Sequence, residues 1–368
     1  MDQNSEKNVV DVALICPVLA GGLGSVTITL AETMRKRGLY TEIWVLTQSQ
    51  HDMLNTQIPV NIISAKRASF SLLNLIKMLN SRRPRKILSA PYHLNCVVIL
   101  ARLVSKIKPY LVIAEHTSLS TGLETISWHK RLVAKLAIAT LYRFADAFVA
   151  VSNDAARQME KYGNLPKNTV ATIYNPIIND DLYKASREKF THPFFKINEP
   201  LFLSVGRISK EKDYQTLIAA FAKTNQITPS RLIIAGDGPE MGMLKKNIKD
   251  RELSDRVSLL GHISNPYPLY RYADVFVLSS KREGLPTVLI EALALGCRIV
   301  STDARSGPRE ILQGGTYGKL VSIMDVDALS SAMIDSAKCS KKNIAPNEEL
   351  VKYGVNSAVD CYVKLLDL

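Results

Sequence analysis

Short runs of consecutive apolar residues alternate with stretches whose apolar positions recur every three or four residues, and this rhythm runs through most of the chain. Residues 9–16 predict a buried strand, 21–24 a glycine turn and 25–37 a helix. Further strands are predicted at 42–46, 60–63, 86–88, 111–114, 148–151 and 170–173, with helical patterns between most of them. Such alternation gives a mainly parallel sheet, because parallel neighbours need a crossover and crossover helices cover both faces. Over 175–200 the rhythm breaks at Pro176, Asn179, Asp180, Asp181, Pro193 and Pro200, which predicts a linker. It restarts with strands at 201–205, 232–235, 257–260, 275–278 and 299–301 and helices at 214–224, 239–251 and 286–295. An amphipathic helix over about 348–366 closes the chain. The expectation is therefore two Rossmann-like α/β domains, residues 1–180 and 181–368, since 368 residues exceed what one core usually serves. Ligands are expected in the crevice at the C-terminal ends of the strands.

Composition adds little to this picture except through charge. Hydrophobic residues at 46% and charged residues at 22% describe a globular, not a disordered, chain. Five scattered cysteines (Cys16, Cys96, Cys297, Cys339 and Cys361) with no CxxC pair argue against a disulfide framework and a zinc site. With a polar start over 1–7 and no apolar run of transmembrane length, they predict a cytoplasmic protein. The net charge of +13, by contrast, favours anionic partners: nucleic acid, phosphorylated small molecules or an anionic membrane leaflet.

The most informative segment is Ser279-Ser280-Lys281-Arg282-Glu283-Gly284-Leu285-Pro286-Thr287-Val288-Leu289-Ile290-Glu291-Ala292. A strand ends in a glycine-containing loop, and Pro286 stands at a predicted first helical turn, where its missing N–H does no harm. The backbone N–H groups of Leu285, Thr287 and Val288, with Gly284 beside them, predict an anion site suited to a diphosphate. Glu283 and Glu291 lie about two helical turns apart. Carboxylates so placed can accept hydroxyl donors from a sugar and from a ribose. Glu291, flanked by Leu289, Ile290, Ala292 and Leu293, stands in apolar company that a solvated surface Glu rarely keeps.

Glu283-x7-Glu291 around Gly284-Leu285-Pro286 resembles the signature of the retaining glycosyltransferases of GT-B fold, family GT4. Four further segments resemble that family in the family's own order: Ser204-Val205-Gly206-Arg207-Ile208-Ser209-Lys210-Glu211-Lys212-Asp213; Ala235-Gly236-Asp237-Gly238-Pro239; Leu260-Gly261-His262; and Ser306-Gly307-Pro308-Arg309-Glu310-Ile311. The resemblance implies two domains facing across a cleft. The N-terminal domain would hold the acceptor and the C-terminal domain the nucleotide sugar, and residues 350–368 would cross back to the N-terminal domain. It also implies retention of anomeric configuration and no metal. The lack of a His/Cys/Asp cluster at ligand spacing agrees with the last point.

Arg207 and Lys212 follow a strand end on one loop, suitably placed to pair with a diphosphate. The resemblance makes them stabilisers of the leaving nucleoside diphosphate, and makes Ile263 the position that reads the nucleobase. Gly236 and Gly238 are assigned to a tight strand-to-helix turn. In the N-terminal half, Gly21 and Gly22 resemble the family's glycine loop, where backbone approaches the donor phosphate. A dinucleotide fingerprint would want an acidic residue after the second strand, and Leu46-Thr47-Gln48-Ser49 stands there instead. His116 closes the strand over 111–114, where a family histidine commonly faces the donor sugar.

Basic residues crowd the N-terminal half: Lys66, Arg67, Arg82, Arg83, Arg85, Lys86, Lys130 and Arg131, interleaved with Phe70, Leu72, Leu75 and Trp128. Helices of this kind suit an anionic lipid surface, although most of their apolar positions must cover the sheet. No nucleic-acid motif or aromatic stacking platform accompanies them. The combined reading is a hexosyl- or N-acetylhexosaminyltransferase using a UDP-sugar and a lipid-linked or polysaccharide acceptor of bacterial surface glycan assembly, peripheral on the inner face of the cytoplasmic membrane. Two other readings stay open: a nucleotide-sugar epimerase of the same architecture, and a basic, non-enzymatic protein that binds membrane or nucleic acid.

Overall fold

Strand β1 (Val12–Cys16) shows in five residues why the chain is layered. All five are buried: Val12, Leu14 and Cys16 enter one apolar cluster, while Ala13 and Ile15 enter the cluster on the opposite face. A strand alternates its side chains between faces, so an uninterrupted apolar run is stable only with helices on both sides. The computed structural model describes residues 9–47, 56–63, 71–124, 126–339 and 347–367. It divides into two compact units, Met1–Pro176 with Tyr353–Leu368, and Ile177–Lys352.

In the first unit, β1 leads into α1 (Gly21–Lys36), β2 (Thr41–Val45), β3 (Val60–Ile62) and α2 (Leu72–Arg82). Then come β4 (Lys86–Ser89), α3 (Tyr92–Val104), β5 (Tyr110–Glu115), α4 (Leu119–Glu124), α5 (Trp128–Leu141), β6 (Ala147–Ala150), α6 (Asn153–Gly163) and β7 (Val170–Thr172). The strands form one parallel sheet in the order β3-β2-β1-β4-β5-β6-β7. The glycines expected as a turn over 21–24 instead form the first turn of α1, and the chain turns over 17–20. The expected residues Gln48, Ser49, Lys66, Arg67, Phe70 and those of 1–7 lie outside the described residues.

The second unit begins with α7 (Asp180–Ala185), inside the stretch expected to be a linker. Asn179 Oδ1 accepts the Leu182 N–H at 2.8 Å, and Asp180 and Asp181 occupy the positive first turn. There follow β8 (Leu201–Val205), α8 (Tyr214–Ile227), β9 (Arg231–Ala235), α9 (Met241–Asp250), β10 (Val257–Gly261), α10 (Tyr267–Tyr272), β11 (Val275–Leu278) and α11 (Thr287–Ala294). The unit closes with β12 (Arg298–Thr302), α12 (Pro308–Ile311), β13 (Lys319–Val321), α13 (Val326–Lys338) and α14 (Asn347–Val351). Its sheet is parallel in the order β10-β9-β8-β11-β12-β13.

The closing helix expected over 348–366 is two helices, α14 and α15 (Val355–Leu366). Gly354 caps α15 in an extended conformation that no continuous helix can pass through. The apolar face of α15 (Ala358, Val359, Tyr362 and Leu366) completes the first unit's cluster beside α1, and Asp360 pairs with Arg37 at the end of α1.

Candidate functional site

In each sheet the strand order reverses once, between β1 and β4 in the first unit and between β8 and β11 in the second. At such a point the loops leave their strand ends in opposite directions and open a ligand crevice. In the second unit this crevice is flanked by the two richest segments of the sequence, 206–213 after β8 and 279–286 after β11.

Those loops are tied together. The Lys212 ammonium lies 2.6 Å from Glu283 Oε1, and the Ser280 hydroxyl donates to the same oxygen at 2.6 Å. The Ser279 hydroxyl donates to the Lys212 carbonyl at 2.9 Å, and the Lys281 N–H donates to the Glu211 carbonyl at 2.8 Å. The Glu283 side chain is only 8% exposed and that of Lys212 24%, so the pair is held with little help from water. Arg207, on the same loop, is exposed; hydrogen bonds from the Glu211 backbone and from Ser209, and then the charge of Arg207, hold the Glu211 carboxyl below the usual range.

The other glycine-bearing segments assemble around this pair. The Gly206 N–H donates to the Ala235 carbonyl at 3.0 Å, the Ile208 N–H to the Asp237 carbonyl at 2.9 Å, and the Gly236 N–H to the Gly261 carbonyl at 2.7 Å. At Gly236, φ is +146° and a Cβ would stand 1.9 Å from the Gly206 carbonyl oxygen, so only glycine allows the approach. At Gly307, φ is +85° and a Cβ would stand 2.4 Å from Pro286 Cδ, which presses the Ser306–Pro308 segment against the Gly284-Leu285-Pro286 loop. All five recognised segments thus meet at the C-terminal edge of one sheet.

Helix α11 starts at Thr287 behind Pro286, with no side-chain cap and no acidic residue in its first turn. The N–H groups of Thr287 and Val288 lie in that turn, beside buried Leu285 and the half-buried Gly284. Glu291, about one turn further along, receives the Tyr270 hydroxyl at 2.8 Å. Burial pushes its carboxyl up to about 7, against the lowering effect of the Tyr270 bond. Tyr270 is itself fully buried in α10 and is the partner that sequence reasoning missed; nothing in the spacing of 267–272 marks it. Ile263 is half-buried in the loop after β10. Among the described residues no group of three or more His, Cys, Asp or Glu side chains is disposed to hold a metal ion.

In the first unit, Gly21 and Gly22 open α1 at the C-terminal end of β1, again without a side-chain cap or an acidic first turn. His116 follows β5 at the same edge. Its Nδ1 lies 3.2 Å from Asn175 Oδ1, and burial pushes the imidazole down to about 4, more than the Asn175 bond restores. The ring is therefore neutral at pH 7. Beneath it, Glu115 Oε1 accepts the Tyr142 hydroxyl at 2.6 Å and Asn95 Nδ2 at 3.0 Å, all three side chains being fully buried.

The basic cluster expected to meet lipid lies elsewhere. Arg82 and Arg83 end α2, and Arg85 and Lys86 open β4, so all four stand at the N-terminal edge of the sheet, opposite His116. Arg82 donates to Asn61 Oδ1 at 2.8 Å and lies 3.6 Å from buried Glu42, while Arg85 lies 3.6 Å from Asp11. Lys86 sits 4.8 Å from the Tyr110 ring centroid, and Arg83 ends its helix with φ +47°. Arg82 and Arg85 keep side chains 44% and 66% exposed beside these partners. Arg131 is likewise engaged, donating to the Leu123 and Glu124 carbonyls at 2.9 and 3.2 Å, whereas Lys130 is exposed.

Two family models divide the chain between them: Glycosyltransferase Family 4 over residues 20–180 and Glycosyl transferases group 1 over residues 186–353. The chain belongs to the group 1, family 4 glycosyltransferases. It is 33% identical over 180 residues to an uncharacterized glycosyltransferase of Methanocaldococcus jannaschii, covering 48% of this chain and 44% of that one. It is 31% identical over 229 residues to an N-acetylgalactosamine-N,N'-diacetylbacillosaminyl-diphospho-undecaprenol 4-alpha-N-acetylgalactosaminyltransferase of Campylobacter jejuni, covering 62% and 60%. The chain thus spans about half the length of these curated relatives. Its fold matches that of the Anabaena protein Alr3699/HepE in complex with UDP and glucose at a TM-score of 0.80, with 20% identity, over 97% of this chain and 99% of that one. The fold is GT-B. The family matches set the glycosyltransferase reading ahead of the epimerase and the non-enzymatic binding protein.

Proposed function

We propose that the enzyme transfers a hexosyl or N-acetylhexosaminyl unit from a UDP-sugar to a lipid-linked or polysaccharide acceptor, with retention and without a metal. The observation that carries this reading is the Lys212–Glu283 pair at the strand reversal of the second unit, with Glu291 on the helix that follows. An ammonium has three donors. One is committed to Glu283, which aims the other two at a diphosphate seated on the N-terminus of α11. Arg207, Lys212 and the N–H groups of Leu285, Thr287 and Val288 stabilise the charge that develops as the sugar's C1–O bond to the diphosphate breaks. Glu283 Oε1 is occupied by Lys212 and Ser280, so Oε2 takes a hydroxyl of the donor sugar. Glu291, braced by Tyr270, takes the ribose, and the backbone at Ile263 meets the base.

The first unit serves the acceptor side, while its Gly21, Gly22 and His116 keep the roles toward the donor phosphate and the donor sugar that the family resemblance implies. The Campylobacter relative's name specifies an undecaprenol-diphosphate acceptor, and the net charge of +13 suits such an anionic lipid and the surface that holds it. Among the described residues no helix is long and apolar enough to cross a membrane, so the association we propose is peripheral, at the cytoplasmic face.

The test is incubation with UDP-sugars in the presence and absence of a bacterial membrane extract, following UDP release and the anomeric configuration of the product. Acceptor-dependent UDP release with retention is expected. Conversion of the UDP-sugar without acceptor, or an inverted product, would overturn the reading.

A further inference from the structure

Helix α5 is out of keeping with the rest of the first unit. Its residues are mostly apolar, yet only Ile138 is buried. Trp128, Leu132, Val133 and Leu136 remain 76%, 63%, 68% and 65% exposed. At ~100° per residue these four fall on one side of the helix together with exposed His129, roughly opposite Ile138, with Lys130 and Lys135 flanking them on either side and Lys135 Nζ 5.6 Å from the Tyr162 ring centroid. α5 carries no acidic residue. α3, which contributes to the same apolar cluster, also exposes Leu100, Leu103 and Val104.

An apolar stripe of this size on a soluble fold marks an interaction surface. The flanking lysines and the absence of any carboxylate select an anionic partner. They also weigh against a second copy of this chain, because a self-complementary contact would bring like charges together. A tryptophan and leucines between lysines are the composition of a helix lying in a lipid interface. The direction of the chain agrees: α5 returns from the C-terminal edge of the sheet, where His116 stands, so its Trp128 end belongs to the acceptor-bearing edge.

We infer that α5 is the membrane-contacting helix. It lies in the plane of an anionic bilayer, with Trp128, Leu132, Val133 and Leu136 at the acyl boundary and Lys130 and Lys135 at the phosphate level. The inference rests on the membrane-surface reading above, but moves the contact away from Arg82–Lys86, which stand at the opposite edge of the sheet.

The experiment uses the full chain with phosphatidylglycerol or phosphatidylcholine vesicles, read by co-sedimentation and tryptophan emission. The chain has two tryptophans, and Trp44 is fully buried, so Trp128 reports the contact. Binding to phosphatidylglycerol is expected to shift Trp128 emission to the blue and to bring quenching by acyl-brominated lipid; Trp128→Phe should remove both. Leu132→Asp with Leu136→Asp should weaken binding about 100-fold, since each buried Leu is worth a factor of about ten or more. Lys130→Gln with Lys135→Gln should weaken it on the order of tenfold. All four positions are exposed, and circular dichroism checks that the variants fold. Arg82→Gln with Arg85→Gln should bind like the wild type. Wild-type binding with unshifted Trp128 and an unaffected leucine double variant would overturn the assignment to α5 while leaving the membrane reading standing. No wild-type binding to phosphatidylglycerol would overturn both. A dimer that the leucine double variant dissociates would give this face to a second copy and overturn the proposal.

Discussion

The Lys212 ammonium and the Glu283 carboxylate, 71 residues apart in sequence, meet at 2.6 Å across the loops after β8 and β11. Arg207→Ala and Lys212→Ala are each expected to lower kcat about 10²–10³-fold, the range for removing one preorganised electrostatic donor. Glu283→Gln should also lower kcat, because the amide holds the ammonium less firmly. Steady-state kinetics on variants whose circular dichroism is unchanged provides the check. Near-normal turnover in the folded double variant Arg207→Ala/Lys212→Ala would remove both residues from the mechanism.

Metal removal gives a second test. In the proposed donor site, cationic side chains and the N-terminus of α11 take the part that a metal cation would otherwise play at the diphosphate. Full transfer activity is therefore expected after exhaustive EDTA treatment. Activity lost on chelation and restored by Mg²⁺ or Mn²⁺ would count against the donor site as assigned.

In its proposed role at the ribose, Glu291 is expected to make donor affinity depend on pH. Burial pushes its carboxyl up to about 7, so it is largely protonated at pH 6 and largely ionised at pH 8. The ionised form is the stronger acceptor for ribose hydroxyls. UDP affinity by titration calorimetry should rise between pH 6 and pH 8, and Glu291→Gln should flatten that rise. Deoxyribose UDP should show less of it than UDP.

Glu115 sets a pH dependence of opposite usefulness, on stability. Burial raises its carboxyl from 4.5 to about 8, so the folded chain keeps a proton that the unfolded chain releases. Its contribution is intact below about pH 4.5 and is lost as pH rises toward 8, by at most ~1.4 kcal/mol per pH unit. His116, lowered to about 4, works in the other direction as pH falls below 6.5. The midpoint of thermal unfolding should fall from pH 6.5 to pH 8 in the wild type and fall less in Glu115→Gln. Equal slopes would mean that Glu115 is ionised in its niche.

Gly236→Ala tests the seam between the recognised segments. The added Cβ would stand 1.9 Å from the Gly206 carbonyl oxygen at a φ of +146°, so the loops must part. A loss of at least ~2 kcal/mol in denaturant unfolding, together with weaker UDP binding, is expected. Gly242→Ala, which meets nothing within 4 Å, is the control.

Much of this protein was legible in its residues. Apolar runs of strand length separated by helical periodicity are a local record of two-sided burial, so the parallel α/β class follows from the sequence. The Glu283–Glu291 spacing, Pro286 at the head of a helix and the ordered glycine segments are likewise local, because turns and helix starts are set by neighbouring residues. Helix α7 is encoded locally by Asn179-Asp180-Asp181, a cap and an acidic first turn, set among prolines that by themselves signal a loop. Other features needed tertiary structure. Tyr270 reaches Glu291, Ser280 and Lys212 converge on one oxygen of Glu283, and Glu115 accepts both Tyr142 and Asn95; each pairing depends on which strands become neighbours, and no sequence period encodes that. The same holds for charge. Arg82–Lys86 and Lys130–Lys135 are alike as sequence, both basic residues beside apolar ones. Only the fold sets the first group at the N-terminal edge of the sheet, beside Asn61, Asp11 and Tyr110, and leaves the apolar stripe of α5 exposed, because exposure belongs to the packed molecule and not to the residue.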